Sequence, residues 1–484
     1  MTYRQLLAAN ADFRRLWMGQ IVSEIGDWLN NIAVLALAFE LAGANRQGLA
    51  LAAYALSRHL PLFFFGPVAG VVVDRANRRR VMIVADVLRA ALAPCFILAG
   101  ALGKLSVIYV VGAALFSVSA FFNVAKRAAI PNITRSHDEL LSANALSAST
   151  TAATIAVGSA LGGVVATFAG RNAVFVLNAA TFLLSAEMIR RIRADTKEDE
   201  SIASGNLRKE QTILPEANVG QIDKDLMLPL EVVAPVEIVA PEFAATVAAP
   251  RRFNSLTGSL RRAGLEFREG LRYVRGSRVL ASLFVVAAGW GLGNGVARAL
   301  YSIFGARLGV QAASGLVARP VDFGISVLFV AMGLGGVLGA PIAVRFNKAG
   351  GAGLGARMGR SMVFDGCGLA LFSFMPTLWT AALVLTAREA NFAIWWTAQQ
   401  TIVMSRTDDR YRGRVFASYE TLTTLMMVGS MLAAGAAADV YGIRFVAATG
   451  GIVIALSGLS WFVLERRGRR LDNSRAAGSE KISA

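Results

Sequence analysis

The sequence predicts an all-α membrane protein of twelve transmembrane helices, arranged as two pseudo-symmetric six-helix bundles. Three observations carry that prediction. The composition is too apolar for water: 55% hydrophobic and only 17% charged residues, with mean hydropathy +0.52, where a soluble globule carries about 25% charge. Twelve apolar runs are long enough to cross a bilayer core, which takes about 20 helical residues. A long polar segment then divides these runs six and six. The same composition excludes a soluble enzyme and a disordered chain.

The runs lie at 16–42, 48–73, 81–101, 105–125, 143–169, 172–191, 279–309, 321–346, 359–377, 379–404, 415–439 and 443–464; they are spans 1 to 12 below. Spans 5 and 11 are rich in Gly, Ala, Ser and Thr. Small residues let helices approach closely, so these two spans are expected inside the bundle rather than against lipid. Span 8 is glycine-dense, and the middle of span 7 reads Gly289-Trp290-Gly291-Leu-Gly293-Asn294-Gly295, a stretch expected to loosen its helix. Residues 1–191 then form the first bundle, 279–465 the second, and 466–484 a tail. Between the bundles, 192–278 begins with an acidic, Pro/Val/Ala-rich stretch that reads as a flexible linker. It ends near 253–275, where Phe253, Leu256, Leu260, Phe267, Leu271 and Val274 recur at helical spacing among seven arginines. That pattern reads as a basic amphipathic helix on the inner leaflet, or as a solvated linker helix.

The formal net charge is +17, which first suggests a nucleic-acid partner. The distribution of the charge argues otherwise, and no nucleic-acid partner is expected. Segment 192–277 holds 12 basic and 13 acidic residues, so the excess lies elsewhere. Short segments on one side of the spans carry 22 Arg and Lys, and those on the other side carry 6. Positive loops stay in the cytoplasm, so both termini are expected there, in the plasma (bacterial inner) membrane. The two cysteines, Cys95 and Cys367, sit in apolar runs without a CxxC, which argues against a disulfide framework or a zinc site. The first apolar run is too long for a cleaved signal and lacks a small-residue cleavage site. No phosphate loop, triad or metal-ligand spacing stands out, so neither an enzyme nor a cofactor is expected.

The two halves resemble each other. Span 2 ends in Gly70-Val-Val-Val-Asp74-Arg75-Ala-Asn77-Arg78-Arg79-Arg80. Span 8 ends in Gly339-Ala-Pro-Ile-Ala-Val-Arg345-Phe-Asn347-Lys348, which keeps the glycine and cations but lacks the acid. Duplicated six-span halves are a common plan of secondary transporters. The Gly-x-x-x-Asp-Arg-x-x-Arg-Arg loop between spans 2 and 3 resembles the signature loop of the major facilitator superfamily. The likeness covers essentially the whole chain except 195–250 and the tail. Phe13-Arg-Arg-Leu-Trp17, Gly26-Asp27-Trp28, Asp86-Val-Leu-Arg89-Ala and Ala143-Asn144-Ala145-Leu146 are similar to the subgroup that includes the enterobactin exporter and macrolide efflux pumps.

That resemblance implies a cavity lined by spans 1, 2, 4, 5, 7, 8, 10 and 11, between bundles that rock. It also implies that Asp74 docks on the N-terminus of span 11, after Arg412-Gly413-Arg414, as a cytoplasmic gate. Gly70 is expected where two helices cross, and Asp74 can meet an arginine or a helix N-terminus. Arg75, Arg78 and Arg79 join the gate or merely anchor topology. Asp86 and Arg89, three residues apart, read as an internal pair bracing it.

Ionisable groups inside a span cost at least about 2.5–3.5 kcal/mol at the helix centre, so those present are functional candidates. In span 1, Gln20, Glu24, Asp27 and Asn31 follow a 4-3-4 spacing and share one face. Asp27 lies ~16 Å into the run, near the midplane, where such transporters bind substrate and coupling ions. A carboxylate in a low-dielectric cavity suits proton uptake and release. Span 7 offers Asn294, Arg298 and Tyr301 on a matching stripe. If the two spans face each other, Arg298 neutralises Asp27 or Glu24 until the acid is protonated; otherwise the pair is static. Tyr54 and Arg58 in span 2, Asp365 in span 9, and Arg388 and Glu389 in span 10 complete the set. Glu389 with Trp395, Trp396 and Gln399 reads either as a surface for an amphipathic or cationic drug, or as Trp residues at the lipid interface. Many efflux pumps of the superfamily carry an arginine in span 4, whereas run 105–125 offers only Ser117, Ser119 and Asn123.

The expected function is secondary active transport: proton-coupled export of an amphipathic small molecule such as a drug, siderophore or secondary metabolite, by a protein acting as a monomer. Two other readings stay open. One is a lipid or lysolipid flippase on the same fold; the other is a non-transporting sensor or scaffold using 192–278 as its output.

Overall fold

The computed structural model describes residues 2–193, 256–347, 353–408 and 410–482. The linker expected at 195–250 and Phe253 lie outside the described residues. Within them the chain is helical throughout. A short helix, Tyr3–Ala9, precedes span 1 and is closed by a capping box between Thr2 and Gln5. Spans 1 and 2 are Ala11–Leu41 and Gln47–Arg75, and span 4 is Leu105–Ile133. Span 3 runs from Arg78 to Leu102, with one 3-10 turn at Ala93–Cys95. Pro94 cannot donate a helical hydrogen bond, which accounts for that turn. Spans 5 and 6 are one helical run, His137–Arg190, broken where Gly170 takes φ +81°. A left-handed φ is open to glycine at little cost, so the chain reverses there.

The second half begins with helix Leu256–Gly276 and continues with span 7, Arg278–Ala313. Spans 8 to 12 are Pro320–Asn347, Leu354–Ser373, Leu378–Arg406, Arg412–Tyr441 and Ile443–Ile482. Nine described helices are long and apolar enough to cross a membrane. Three further facts bring that to twelve crossings. The long run His137–Arg190 turns back at Gly170, and spans 9 and 10 (20 and 29 residues) are helices of crossing length with more polar sequences.

Span 7 is one unbroken helix, contrary to the loosening its glycines suggested. Its glycines are sites of close approach instead. A Cβ on Gly291 would lie 2.8 Å from Thr423 O, and one on Gly295 2.3 Å from Met427 O, both in span 11. On the other face, a Cβ on Gly293 would lie 2.6 Å from Gly450 O in span 12. Small residues at these positions let backbones meet, and van der Waals packing then holds helices that no hydrophobic effect draws together in lipid.

The halves meet along two seams. Span 2 crosses span 11 at Gly48 and Gly435, where a Cβ on Gly48 would come within 2.2 Å of Gly435 O. Span 5 meets span 8, where a Cβ on Gly333 would lie 2.4 Å from Ala156 N. Gly70 was expected at such a crossing and is not at one: nothing lies within 4 Å of a Cβ built there. Span 2 therefore touches its partner near its N-terminal end, away from the signature loop.

The helix expected near 253–275 runs from Leu256 to Gly276. Its described end rests on protein. Tyr273 stacks on Tyr411 with centroids 4.6 Å apart, Ser418 donates to Phe267 O at 3.2 Å, and Val274 is buried. Glu269 pairs with Arg414 at 2.8 Å, while Arg268, Arg272 and Arg275 stay exposed.

Candidate functional site: a central cavity between two halves

The acids of span 1 are held within their own half. Glu24 meets Lys126 of span 4 at 3.4 Å and accepts from Thr154 of span 5 at 2.9 Å and Gln20 at 2.8 Å. Asp27 lies 3.7 Å from Arg89 of span 3. Arg89 also hydrogen-bonds Asp86, and both are buried. Its guanidinium sits over the rings of Phe122 and Phe182, at 4.2 and 4.4 Å from their centroids. Asp86 and Arg89 thus tie span 3 to spans 1, 4 and 6.

Glu24 and Asp27 thus meet Lys126 and Arg89 of their own half. One expectation is corrected here: span 4 does carry a cation. Its helix extends to Ile133, so Lys126, one residue past the apolar run, is still on the span. A lysine's long alkyl stem lets it lie along apolar surface while its ammonium reaches an acid.

Asn31 anchors span 2 to span 1. Its Oδ1 accepts from Arg58 at 2.5 Å and from the Tyr54 hydroxyl at 3.4 Å. The Arg58 guanidinium lies 4.9 Å from the ring centroids of both Trp28 and Phe116, a cation–π clamp.

The second half has its own buried cluster. Arg388 pairs with Asp365 at 3.0 Å and with Glu389 at 3.0 Å, and it hydrogen-bonds the Tyr301 hydroxyl. Arg388 and Asp365 are each 2% exposed, so spans 7, 9 and 10 are joined by charges shielded from solvent. Beside this cluster lies a small cavity between the halves, lined by Trp28, Trp290, Asn294, Arg298, Glu389 and Phe392, among others. Asn294 has Met427 Sδ 4.0 Å from its amide nitrogen. Trp290 stacks on Trp395 at 4.6 Å. Trp395 is 2% exposed and Trp396 9%, so their place is the protein interior and not the lipid interface.

At the signature loop, Arg78 is buried, and Arg79 donates to Arg190 O at 2.6 Å. Asp74 is half-buried at the end of span 2, beside the exposed Arg75. Arg412 opens span 11, and Arg414, two residues on, is the one that meets Glu269.

The strongest contacts between the halves involve residues the sequence did not single out as a site. On the side opposite the termini, Arg171 (first residue after the Gly170 break) makes two bidentate pairs. It binds Glu40 of span 1 at 2.5 and 2.6 Å, and Asp322 of span 8 at 2.9 and 2.7 Å. Asp322 is fully buried. Bidentate Arg–carboxylate forks combine two charge-assisted hydrogen bonds with fixed geometry. On the same side, the Asp439 carboxylate at the end of span 11 accepts from the backbone N–H of Gly48 and Leu49, at 2.7 and 2.9 Å. Those amides open span 2, where orphan N–H groups and the helix dipole favour an anion. The signal for it was in the sequence: Gly435-x-x-x-Asp439 repeats the spacing of Gly70-x-x-x-Asp74.

Two six-helix halves, a polar cavity between them and a clamp across one side define a helical membrane transporter. The sequence profile of the Major Facilitator Superfamily matches residues 16–429, and the chain belongs to that family. It is 29% identical over 175 residues to the MFS-type transporter YfiS of Bacillus subtilis, which is 36% of this chain and 40% of YfiS. It is 38% identical over 79 residues to macrolide efflux protein A of Streptococcus pyogenes, 16% of this chain and 19% of that protein. The chain thus aligns with less than half the length of either relative. Among solved structures, it resembles the nucleoside transporter NupG (TM-score 0.62, 11% identity, 94% of this chain and 98% of that one). It also resembles a bacterial homologue of the human lysosomal transporter Spinster, inward-facing and unoccupied (TM-score 0.60, 12% identity, 94% and 97%). At those identities the likeness establishes the fold.

Proposed function

We propose that this transporter is a proton-coupled exporter of amphipathic small molecules, working by alternating access in the bacterial inner membrane with both termini in the cytoplasm. The one-sided clamp carries the reading. Arg171 and Asp439 join the halves on the side away from the termini, and Gly70, at the other end of span 2, has open space beside it. A molecule closed on one side is one of the two end states that alternation requires. Asp74 serves the opposite state by docking on span 11. The two Gly-x-x-x-Asp ends then act as reciprocal latches, each seating a carboxylate on the first turn of the other half's helix.

Glu24 and Asp27 are the proton carriers in this scheme. Protonating Glu24 removes the charge that holds Lys126, which frees span 4 to move against span 1. The partial likeness to a macrolide efflux protein supports the export direction. The test is flux in proteoliposomes under an imposed pH gradient, screening hydrophobic cations, siderophores and amphipathic anions. The expected result is gradient-driven uptake into inside-out vesicles, uncoupled by Glu24→Gln or Asp27→Asn. Flux that ignores the gradient removes proton coupling from the account.

A further inference from the structure

The transport reading leaves two arginines without a role. Arg58 comes from span 2 of the first half and Arg298 from span 7 of the second. Arg58 is held by neutral groups: Asn31 Oδ1 and the faces of Trp28 and Phe116. Arg298 lines the cavity, and its buried Nε makes no hydrogen bond among the described residues. Neither guanidinium is within ion-pair distance of a described carboxylate. Arg58 reaches the cavity through Trp28, whose ring it covers and which lines the wall, although the two arginines belong to different halves.

One acid stands beside Arg298 in the cavity. Glu389 shares the cavity wall, but it is already 3.0 Å from Arg388, whose remaining nitrogens face Asp365. Trp28, Trp290 and Phe392 give the wall three aromatic faces, beside the aliphatic Ile155 and Met332. An arginine fork with no hydrogen-bonded partner among the described residues, in a partly desolvated site, favours a planar or tetrahedral anion.

We propose that the central cavity receives an amphipathic organic anion, whose carboxylate or phosphate is bound by Arg298 and drawn on by Arg58 while its apolar body lies among Trp28, Trp290 and Phe392. This rests on reading the cavity as the transport site. It narrows the cargo to one charge type and gives the ligand a mechanical role. An anion between two arginines from opposite halves draws the halves together.

Binding tests this separately from flux. Purified full-length protein in nanodiscs of zwitterionic lipid is titrated with three probes of one shape: 2-naphthoate, 2-naphthyl phosphate and 2-naphthylmethylammonium. Tryptophan fluorescence reports occupancy, since Trp28 and Trp290 line the cavity. The expected result is at least about ten-fold tighter binding of one or both anions than of the ammonium, the scale of one charge-assisted contact. The tighter anion identifies the headgroup. Arg298→Gln should remove the preference and Arg298→Lys should keep most of it, with both variants checked for monodispersity. Equal or tighter binding of the ammonium, no binding of either anion at millimolar concentration, or an anion preference that survives Arg298→Gln would overturn the proposal. Anion binding without flux would leave this site standing and remove the transport reading. Flux confined to cations would do the reverse.

Discussion

Arg388 sits where spans 7, 9 and 10 converge, and it is the cation that makes Asp365 tolerable in the interior. Taking one partner from a buried pair leaves an uncompensated charge, a loss of about 3–5 kcal/mol. Arg388→Met should therefore lower thermal stability sharply. The double variant Arg388→Met with Asp365→Leu should recover most of that loss, because the desolvation penalty leaves with both charges. Thermal denaturation in detergent reads both. At the same scale, Asp74→Asn should express and fold normally yet abolish transport; normal transport by that variant would sink the latch. Residue roles were only partly legible in the sequence. The 4-3-4 stripe placed Glu24, Asp27 and Asn31 on one face, and three of the polar groups that meet them lie on spans 2, 3 and 4. Which cation meets which acid was not legible, because helical periodicity gives a face and no distance. Lys126 was missed because apolarity ends at residue 125 while the helix continues to Ile133.

Whole elements were easier to read than their partners. The apolar runs match the helices to within a few residues for most spans, since a bilayer fixes both length and composition. Glycine was the ambiguous signal. The same residue type opens a helix, turns a chain or admits a neighbour, and only packing decides among them. In span 7 it admits spans 11 and 12; at Gly170 it turns the chain. The seams between halves make this testable. Gly435→Leu would place a side chain against Gly48 and Ala52 of span 2. It should hinder closure on the side away from the termini without touching the cavity. The expected outcome is near-normal probe binding with at least a ten-fold loss of flux, on the scale of about 1.4 kcal/mol or more against the closed state. Unchanged flux would show that the seam opens elsewhere. The helix Leu256–Gly276 is a second element with a role to test. Its contacts through Tyr273 and Glu269 reach the start of span 11, where Asp74 is expected to dock. Tyr273→Ala should change transport rate more than stability, whereas deleting 195–250 should leave flux in place.

For the molecule as a whole, the positive charge reads as a topology map, with Arg171 as the informative exception. It was counted only as one of six cations on the sparse side. The structure makes it an ionic link between the two halves on that side, through Asp322. Acids ending span 1 and opening span 8 were the available hint, but pairing them needs the fold. Alternating access requires this clamp to open and close during transport. Its most direct test is the distance across it, by electron–electron spin resonance between labels at exposed Phe168 and Leu316, with Cys95 and Cys367 replaced. The expected result is a short, narrow distance distribution in the otherwise unmodified protein, with a longer population that grows when Arg171→Gln is introduced. A single unchanged distribution in both proteins, with and without a pH gradient, would contradict a clamp that opens.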